Sequence, residues 1–311
     1  MSSIRVYFLD FREFSQNVGG AVVAGRLWQQ KQSFLDQMFG HGNARAGHWT
    51  ELPKEKKVTF LVHGFNVSRP EGQTALSRLA KDLPSIRNDA IVVVTWPGDD
   101  PRTRVGLNYL CYVWRKNDAN DTGREFERFC GSTFGRDTTL SFVSHSLGAR
   151  VVVESVERLR KAYRIDQVCM MAAAIDDDSL ADPGQYRQAT TSAKRVAILA
   201  SEQDDVLKYA YRPGQHPAMG AMTLGAGLLL TRKALGRSGP QPHSEKLFWS
   251  HSIPATVYHE QIPDDRNVGH GDYLDSDSQR ARRGSSKRAK TDAAADFADQ
   301  VLRGNSHPMY K

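Results

Sequence analysis

The chain has 311 residues, a formal net charge of +7, and a composition that is 40% hydrophobic and 25% charged, which is typical of a folded globular protein rather than a disordered one. Its longest apolar stretch, residues 218–230, is shorter than the roughly 20 residues that a membrane-spanning helix needs. The apolar run near the N-terminus is too short for a secretory signal, and the three cysteines lack metal-like spacing. We therefore expect a cytoplasmic protein with reduced thiols, although export without a signal peptide stays open.

Short apolar runs bounded by turn residues recur along the chain: VYFLD, VTFLVHG, AIVVVTWPG, TTLSFVSHS, QVCMMAAAID, RVAILASEQDD and ATVYHEQ. Several are continuous rather than alternating, which is typical of strands buried on both faces of a parallel sheet. Helical patterns lie between them, at residues 73–83, 123–134 and 152–163. This alternation predicts an α/β fold with a doubly wound, mostly parallel sheet, in which functional residues follow the C-terminal ends of strands.

The composition changes beyond Asp275, where the chain becomes polar and basic. We therefore predict a folded domain over residues 1–275 and a polar, basic, flexible tail over residues 276–311. A short helix in this tail would place Phe297 and Val301 on one side. The run RARRGSSKRAK could attract nucleic acid or acidic lipid, but it lacks interleaved aromatic residues, so we expect a solvated segment and no nucleic-acid partner.

The stretch FVSHSLGARV, residues 142–151, has a strand pattern, a Ser-x-Ser-x-Gly turn and then a helical pattern. In a nucleophile elbow the catalytic serine occupies such a turn, and small residues on either side let the strand and the helix approach each other. Gly148 is the downstream small residue, and Ser144 stands where a glycine is usual. A turn serine without chemistry is the alternative for Ser146, but the strand before it and the helix after it favour a nucleophile.

A second motif, FLVHGFN at residues 60–66, follows an earlier predicted strand. Acyl transfer needs N–H donors aimed at the oxyanion that develops in the transition state. Leu147, directly after Ser146, supplies one candidate donor, and Phe65, in the His-Gly loop, supplies the second. The alternative for this loop is a glycine turn beside a buried histidine.

An acid and a histidine are expected to follow such a serine in chain order. The segment LASEQDDVL contains Asp204 and Asp205, and the glycine-rich NVGHGDYL contains His270. We favour Asp204 as the acid. The cluster Asp176–Asp178 is another possible source, although its other explanation is capping of a helix N-terminus. The remaining histidines, including His63, are expected to be structural or solvated.

Together these motifs resemble α/β hydrolases, and specifically a bacterial family of unknown function marked by HGFN and HS[LM]GAR. The matching segments are HGFN at 63–66, WPG at 96–98, SHSLGAR at 144–150, S-x-x-D-x-x-L at 201–207 and GHGDYL at 269–274. The resemblance implies a sheet of the α/β-hydrolase type and a Ser–Asp–His triad, which falls on Ser146, Asp204 and His270. Ser144 and the long insert after Asp204 depart from the family pattern.

These observations predict a serine hydrolase that cleaves a carboxylic ester or a related acyl compound through an acyl-enzyme. No metal or organic cofactor is implied, and the expected partner is a small-molecule or lipid-like ester. Trp96, Met222 and Leu224 are candidate substrate-binding residues. The alternatives are packing for Trp96, and a core or cap helix for the segment 218–230.

A catalytically silent binding or scaffold protein on the same fold is the alternative function. The complete set of candidate triad residues argues against it. The oligomeric state stays open.

Overall fold

The computed structural model describes residues 4–13, 20–87, 89–99, 108–209, 211, 233–242, 252–275 and 285–305. Its β-strands are β1 (Ile4–Arg12), β2 (Val22–Trp28), β3 (Ala44–Ala46), β4 (Lys57–Val62), β5 (Ala90–Thr95), β6 (Thr139–His145), β7 (Arg164–Met171), β8 (Arg195–Ser201) and β9 (Val257–Ile262). Its α-helices are α1 (Gln32–Phe39), α2 (Arg69–Lys81), α3 (Asn108–Thr133), α4 (Gly148–Leu159), α5 (Arg187–Ser192), α6 (Asp205–Tyr209), α7 (Leu235–Ser238) and α8 (Ser285–Leu302). No helix in these ranges is long and apolar enough to cross a membrane.

These strands form one sheet in the order β2-β1-β5-β4-β6-β7-β8-β9, and β3 pairs with the first residues of β1. The β1–β2 pair is antiparallel, whereas the other strand pairs in the described residues are parallel. The central strands β4, β5 and β6 are buried along almost their whole length, which explains their continuous apolar sequences. The prediction of a mostly parallel α/β sheet is confirmed.

Helices cover both faces of the sheet. On one face α3 packs against α4, and α4 packs against α5. On the other face α1 packs against α2. A groove of about 230 Å³ on this face is lined by Met38 of α1, Leu79 of α2 and Ala295 of α8. The sheet is therefore doubly wound, as its sequence pattern predicts.

Three phenylalanines form the part of the core that lies between the central strands and α3. Phe60 of β4 stacks on Phe142 of β6 with ring centroids 5.3 Å apart. Phe126 of α3 meets Phe60 edge to face at 4.8 Å. Burying each of these rings contributes roughly 1.5–3 kcal/mol. They fix the positions of the two strands whose ends carry the HGFN and SHSLG motifs.

The helices predicted over 73–83 and 123–134 exist, but both begin earlier than their apolar patterns indicate. α2 begins at Arg69 because Glu71 accepts a hydrogen bond of 3.1 Å from the backbone N–H of Ser68, and Pro70 suits the first turn. α3 begins at Asn108. The polar run KNDAND at residues 116–121 interrupts its apolar pattern, so the sequence indicates only the second half of the helix.

The C-terminal region differs from the solvated tail that its composition predicts. Residues 285–302 form α8, and one face of the helix is buried through Ala294, Ala295, Phe297, Ala298 and Val301. These apolar residues recur at helical spacing, so they outweigh the polar average of the segment. The domain boundary at residue 275 stays a prediction, and residues 276–284 and 306–311 lie outside the described ranges.

Candidate active site

Five loops that follow parallel strands carry the sequence motifs. The loops after β4, β5, β6, β8 and β9 carry His63–Asn66, Trp96–Gly98, Ser146, Asp204 and His270, respectively. Because the C-terminal ends of parallel strands share one edge of a sheet, these loops converge there. Hydrogen bonds among them define the candidate site.

Ser146 occupies a tight turn between His145, the last residue of β6, and Gly148, the first residue of α4. Its φ of 55° lies in the left-handed region, which costs a non-glycine residue on the order of 1 kcal/mol or more. Neighbouring backbone holds the turn: the N–H of Ser146 donates to the carbonyl of Met171 at 3.0 Å, and its own carbonyl accepts from Ala174 at 3.1 Å. Hydrogen bonds from β7 and the loop after it therefore hold Ser146 in this strained conformation.

Two glycines allow the loop after β4 to contact this turn. A Cβ added to Gly64 would lie 2.6 Å from the Cβ of Ser146. A Cβ added to Gly148 would lie 2.4 Å from the backbone oxygen of His63. Any side chain at either position would push the loop and the start of α4 apart. Ser144 accompanies this packing as a buried residue, and its Oγ lies 3.4 Å from the carbonyl of Cys169.

A continuous series of hydrogen bonds joins the three residues proposed for the triad. His270 Nε2 lies 2.8 Å from Ser146 Oγ, and His270 Nδ1 lies 2.7 Å from Asp204 Oδ2. Asp204 is fully buried, and its other carboxylate oxygen accepts the N–H of Leu207 at 2.9 Å. Since a carboxylate can only accept, Nδ1 carries the proton of the neutral imidazole and Nε2 is left to accept the serine proton. The arrangement can deprotonate Ser146.

The other candidate acids take different positions. Asp205 is exposed on α6. In the cluster Asp176–Asp178, the carboxylate of Asp176 accepts a hydrogen bond of 2.5 Å from the hydroxyl of Tyr211. The Nδ1 atom of His270 meets Asp204 instead. The geometry therefore favours Asp204 among the acids that the sequence offers.

His63 is buried and joins the loops that follow β4 and β5 by hydrogen bonds. Its Nδ1 lies 2.9 Å from the carbonyl of Gly64, and its Nε2 accepts the backbone N–H of Trp96 at 3.2 Å. The indole N–H of Trp96 donates to the carbonyl of His63 at 2.9 Å, and Asn66 donates its N–H to the carbonyl of Gly98 at 2.8 Å. Burial lowers the pKa of His63 to about 3, so its ring stays neutral and makes both contacts.

Of the two proposed oxyanion donors, one lies in the elbow and the other lies in the loop that contacts it. Leu147 directly follows Ser146, and no carbonyl in the described part of the chain accepts its backbone N–H. Phe65 follows Gly64, the residue that contacts Ser146, and its side chain packs at the border of the core. Each candidate donor is therefore next in sequence to a residue at the contact between the elbow and the loop after β4.

Of the three candidate substrate-binding residues, Trp96 alone lies in the described ranges. Trp96 is fully buried and stacks on His63 with centroids 5.8 Å apart, which corresponds to packing beneath the loop rather than to contact with a ligand. The sequence could not distinguish the two because an aromatic residue at a strand end is common in both. Met222 and Leu224, together with the segment 218–230, lie outside the described residues.

His145, which is among the histidines expected to be structural or solvated, is structural and supports the backbone of His270. Its Nε2 donates to the carbonyl of His270 at 3.0 Å, and the two rings lie 4.9 Å apart. The ring of Tyr273 also packs against the ring of His145, with centroids 5.8 Å apart. Burial, helped by the neighbouring His270, lowers the pKa of His145 to about 3. Its place directly before Ser146 in SHSLG was the available signal.

A buried charge network, which the sequence analysis does not predict, contacts the residues that follow the HGFN motif. Arg12 pairs with Asp99 and donates a hydrogen bond of 2.7 Å to the carbonyl of Val67. Asp10 forms an ion pair with Arg69, the first residue of α2, in which Asp10 Oδ2 lies 2.5 Å from Arg69 Nε. Since burying charge requires a partner, this pairing ties the ends of β1 and β5 to the loop. Among the described side chains no cluster of three or more ligand residues is placed to hold a metal ion.

One family model, described as "Alpha/beta hydrolase of unknown function (DUF900)", matches residues 45–223, which is more than half of the chain. Among solved structures, the crystal structure of TT1662 from Thermus thermophilus is similar at 13% identity and a TM-score of 0.37, over 80% of this chain and 89% of that one. A structure from a study of two prolyl endopeptidases is similar at 12% identity and a TM-score of 0.32, over 80% of this chain but only 34% of that one. No curated protein matches the sequence.

Proposed function

The chain belongs to the α/β-hydrolase family of unknown function (DUF900), and we propose that it is a serine hydrolase that cleaves a carboxylic ester or a related acyl compound. The observation that carries this proposal is the hydrogen-bonded series from Asp204 through His270 to Ser146, with distances of 2.7 and 2.8 Å. Both distances lie within the reach that a general base needs to take a proton. The hydrolase fold supports the reaction class, and this series supports the residues.

In the proposed reaction, Ser146 Oγ attacks the carbonyl carbon of the ester while His270 Nε2 takes the hydroxyl proton. The negative charge that develops on the carbonyl oxygen is stabilised by the backbone N–H groups of Leu147 and Phe65. Collapse of the tetrahedral intermediate breaks the bond to the alcohol, which leaves with the proton from His270. Water, activated by the same histidine, then attacks the acyl-enzyme and releases the acid.

Asp204 orients the imidazole and stabilises the cation that forms in each step. Its complete burial removes competing water, and the N–H of Leu207 fixes the oxygen that does not face His270. The carboxylate therefore has one available orientation toward Nδ1. This preorganisation is the property that makes such a group effective, because no rearrangement is required when charge develops.

The same features argue for catalysis over a silent scaffold. A serine held at a positive φ and a fully buried carboxylate both cost stability, and a protein that only binds needs neither. Such costs concentrate at functional sites. A scaffold would retain the sheet and its core without the series of hydrogen bonds.

Labelling with a fluorophosphonate, followed by mass mapping of the modified peptide, tests the proposal directly. We expect the label on Ser146, and Ser146→Ala should abolish both labelling and hydrolysis of short aryl esters. Ser144→Ala is the matched control, because Ser144 is equally buried but points its hydroxyl at the backbone of β7. A label on Ser144, or a folded protein that neither reacts with the probe nor hydrolyses esters, would overturn the proposal.

A further inference from the structure

The loop that carries His270 is held by two side chains of α8. The ammonium group of Lys290 donates hydrogen bonds to the carbonyl of Asn267 and, at 3.2 Å, to the carboxylate of Asp272. The hydroxyl of Thr291 donates to the carbonyl of Asp272 at 3.1 Å. These contacts reach both ends of the segment 267–272, and His270 lies between them.

Asp272 is the residue through which these contacts act on the turn itself. Its carboxylate accepts the N–H of Gly269 at 2.9 Å, and its own N–H donates to the carbonyl of Gly269 at 3.0 Å. The carboxylate oxygen that closes the turn is the one that Lys290 contacts. Because this side chain is only 8% exposed, its charge depends on protein partners rather than on water.

α8 is a fixed support for these contacts. Phe297 is buried and stacks on Tyr258 of β9, with ring centroids 6.2 Å apart. Further along the helix, Asp299 accepts the backbone N–H of Ser85 at 2.7 Å, which links α8 to the chain after α2. Lys290 and Thr291 are therefore anchored by contacts about two turns further along the helix.

We propose that Lys290 and Thr291 are positioning residues for His270, so that the C-terminal helix keeps the imidazole within reach of Ser146. This inference rests on the proposed function for its catalytic consequence. The hydrogen bonds of Lys290 go to Asn267 and Asp272, which flank His270, and not to the imidazole itself. Their effect is to keep the 267–272 turn closed, and loss of the contacts lets the turn open while Ser146 and Asp204 stay in place.

Lys290→Met tests the inference, with Lys290→Arg as the conservative variant and Arg303→Met as the matched control. Arg303 pairs with Asp299 near the other end of α8, at 2.7 Å, and does not touch the loop. We expect Lys290→Met to lower kcat and the rate of fluorophosphonate labelling about tenfold, with KM unchanged, since a hydrogen bond to a charged group typically contributes at least that factor. Lys290→Arg should restore most of both rates.

Hydrogen exchange of the backbone amides over residues 267–274 gives a readout that does not depend on activity. Exchange in this peptide should rise about tenfold in Lys290→Met and stay unchanged in Arg303→Met. If the wild type is not labelled but the exchange rises, the proposed function fails and the support of the loop by α8 stands. If exchange and both rates in Lys290→Met equal those of the control, the inference is wrong.

Discussion

Mild acid should destabilise the fold through two buried histidines, His63 and His145. Burial lowers the pKa of each to about 3, with smaller contributions from the charge of Arg12 on His63 and from His270 on His145. Both rings stay neutral in the folded protein, whereas in the unfolded chain they protonate near pH 6.5. Because the unfolded state takes up the protons first, stability is full above pH 6.5 and falls as the pH drops toward 3.

The size of the effect follows from the pKa differences. Each pH unit below 6.5 costs about 1.4 kcal/mol for every histidine that protonates only on unfolding. Between pH 7.5 and pH 5 each of the two therefore removes about 2 kcal/mol, and together about 4 kcal/mol, from the free energy of unfolding. This is a large share of the roughly 5–15 kcal/mol that stabilises a typical domain. Burial also lowers the pKa of His259, which adds to the loss, whereas burial raises the pKa of Asp89, which opposes it. The ordinary pKa values of carboxylates lie near 4, so unperturbed carboxylates add little in this window.

Urea unfolding, followed by tryptophan fluorescence at pH 7.5 and pH 5, measures this difference. In His145→Gln the amide can still donate to the carbonyl of His270, and the loss between the two pH values should become about 2 kcal/mol smaller than in the wild type. His48→Gln is the control, since His48 is exposed and its replacement should leave the wild-type loss unchanged. A wild-type protein that is equally stable at both pH values, or a loss that His145→Gln does not reduce, would refute the reasoning.

Three further predictions concern the site. Asp204→Asn should lower kcat for ester hydrolysis by up to about 10⁴-fold because the amide favours the wrong imidazole tautomer, whereas Asp205→Asn should stay near the wild-type rate. Gly148→Ala should lower both the melting temperature and kcat, because the added Cβ would lie 2.4 Å from a backbone oxygen and must move the start of α4. Along a series of short-chain aryl esters, kcat/KM should rise by up to about fourfold for each methylene. The double change Met222→Ser, Leu224→Ser should flatten that rise and spare acetate esters, and an unchanged profile would assign the segment to the core.

The sequence predicts the sheet and the order of its functional loops because both leave local patterns. Strands buried on both faces are short continuous apolar runs, and their ends are marked by glycine, serine and aspartate. Ser146, Asp204 and His270 could be chosen for their positions after three such runs, and the structure joins these three by hydrogen bonds. Their catalytic roles stay predictions that labelling and substitution test.

Other features depend on contacts between distant parts of the chain, which a local pattern does not contain. Arg12 and Asp99 are 87 residues apart in sequence, and nothing near either predicts that they form a buried pair. Lys290 lies in a polar stretch whose average composition predicts solvent, yet it contacts Asp272 because the apolar face of α8 docks the helix on the sheet. The burial of Trp96 likewise depends on tertiary contacts, among them the stacked ring of His63.

The distribution of backbone strain also points to the site. Asn66, Ser146, Ala172 and Asn267 are the non-glycine residues with positive φ in the described ranges, and they follow β4, β6, β7 and β9, respectively. Each such conformation costs on the order of 1 kcal/mol or more, and asparagine tolerates it best. All four lie where parallel strands end at one edge of the sheet. The buried apolar strands stabilise the fold enough to offset this strain. Such conformations persist only where the surrounding structure holds them, and they cluster at functional sites.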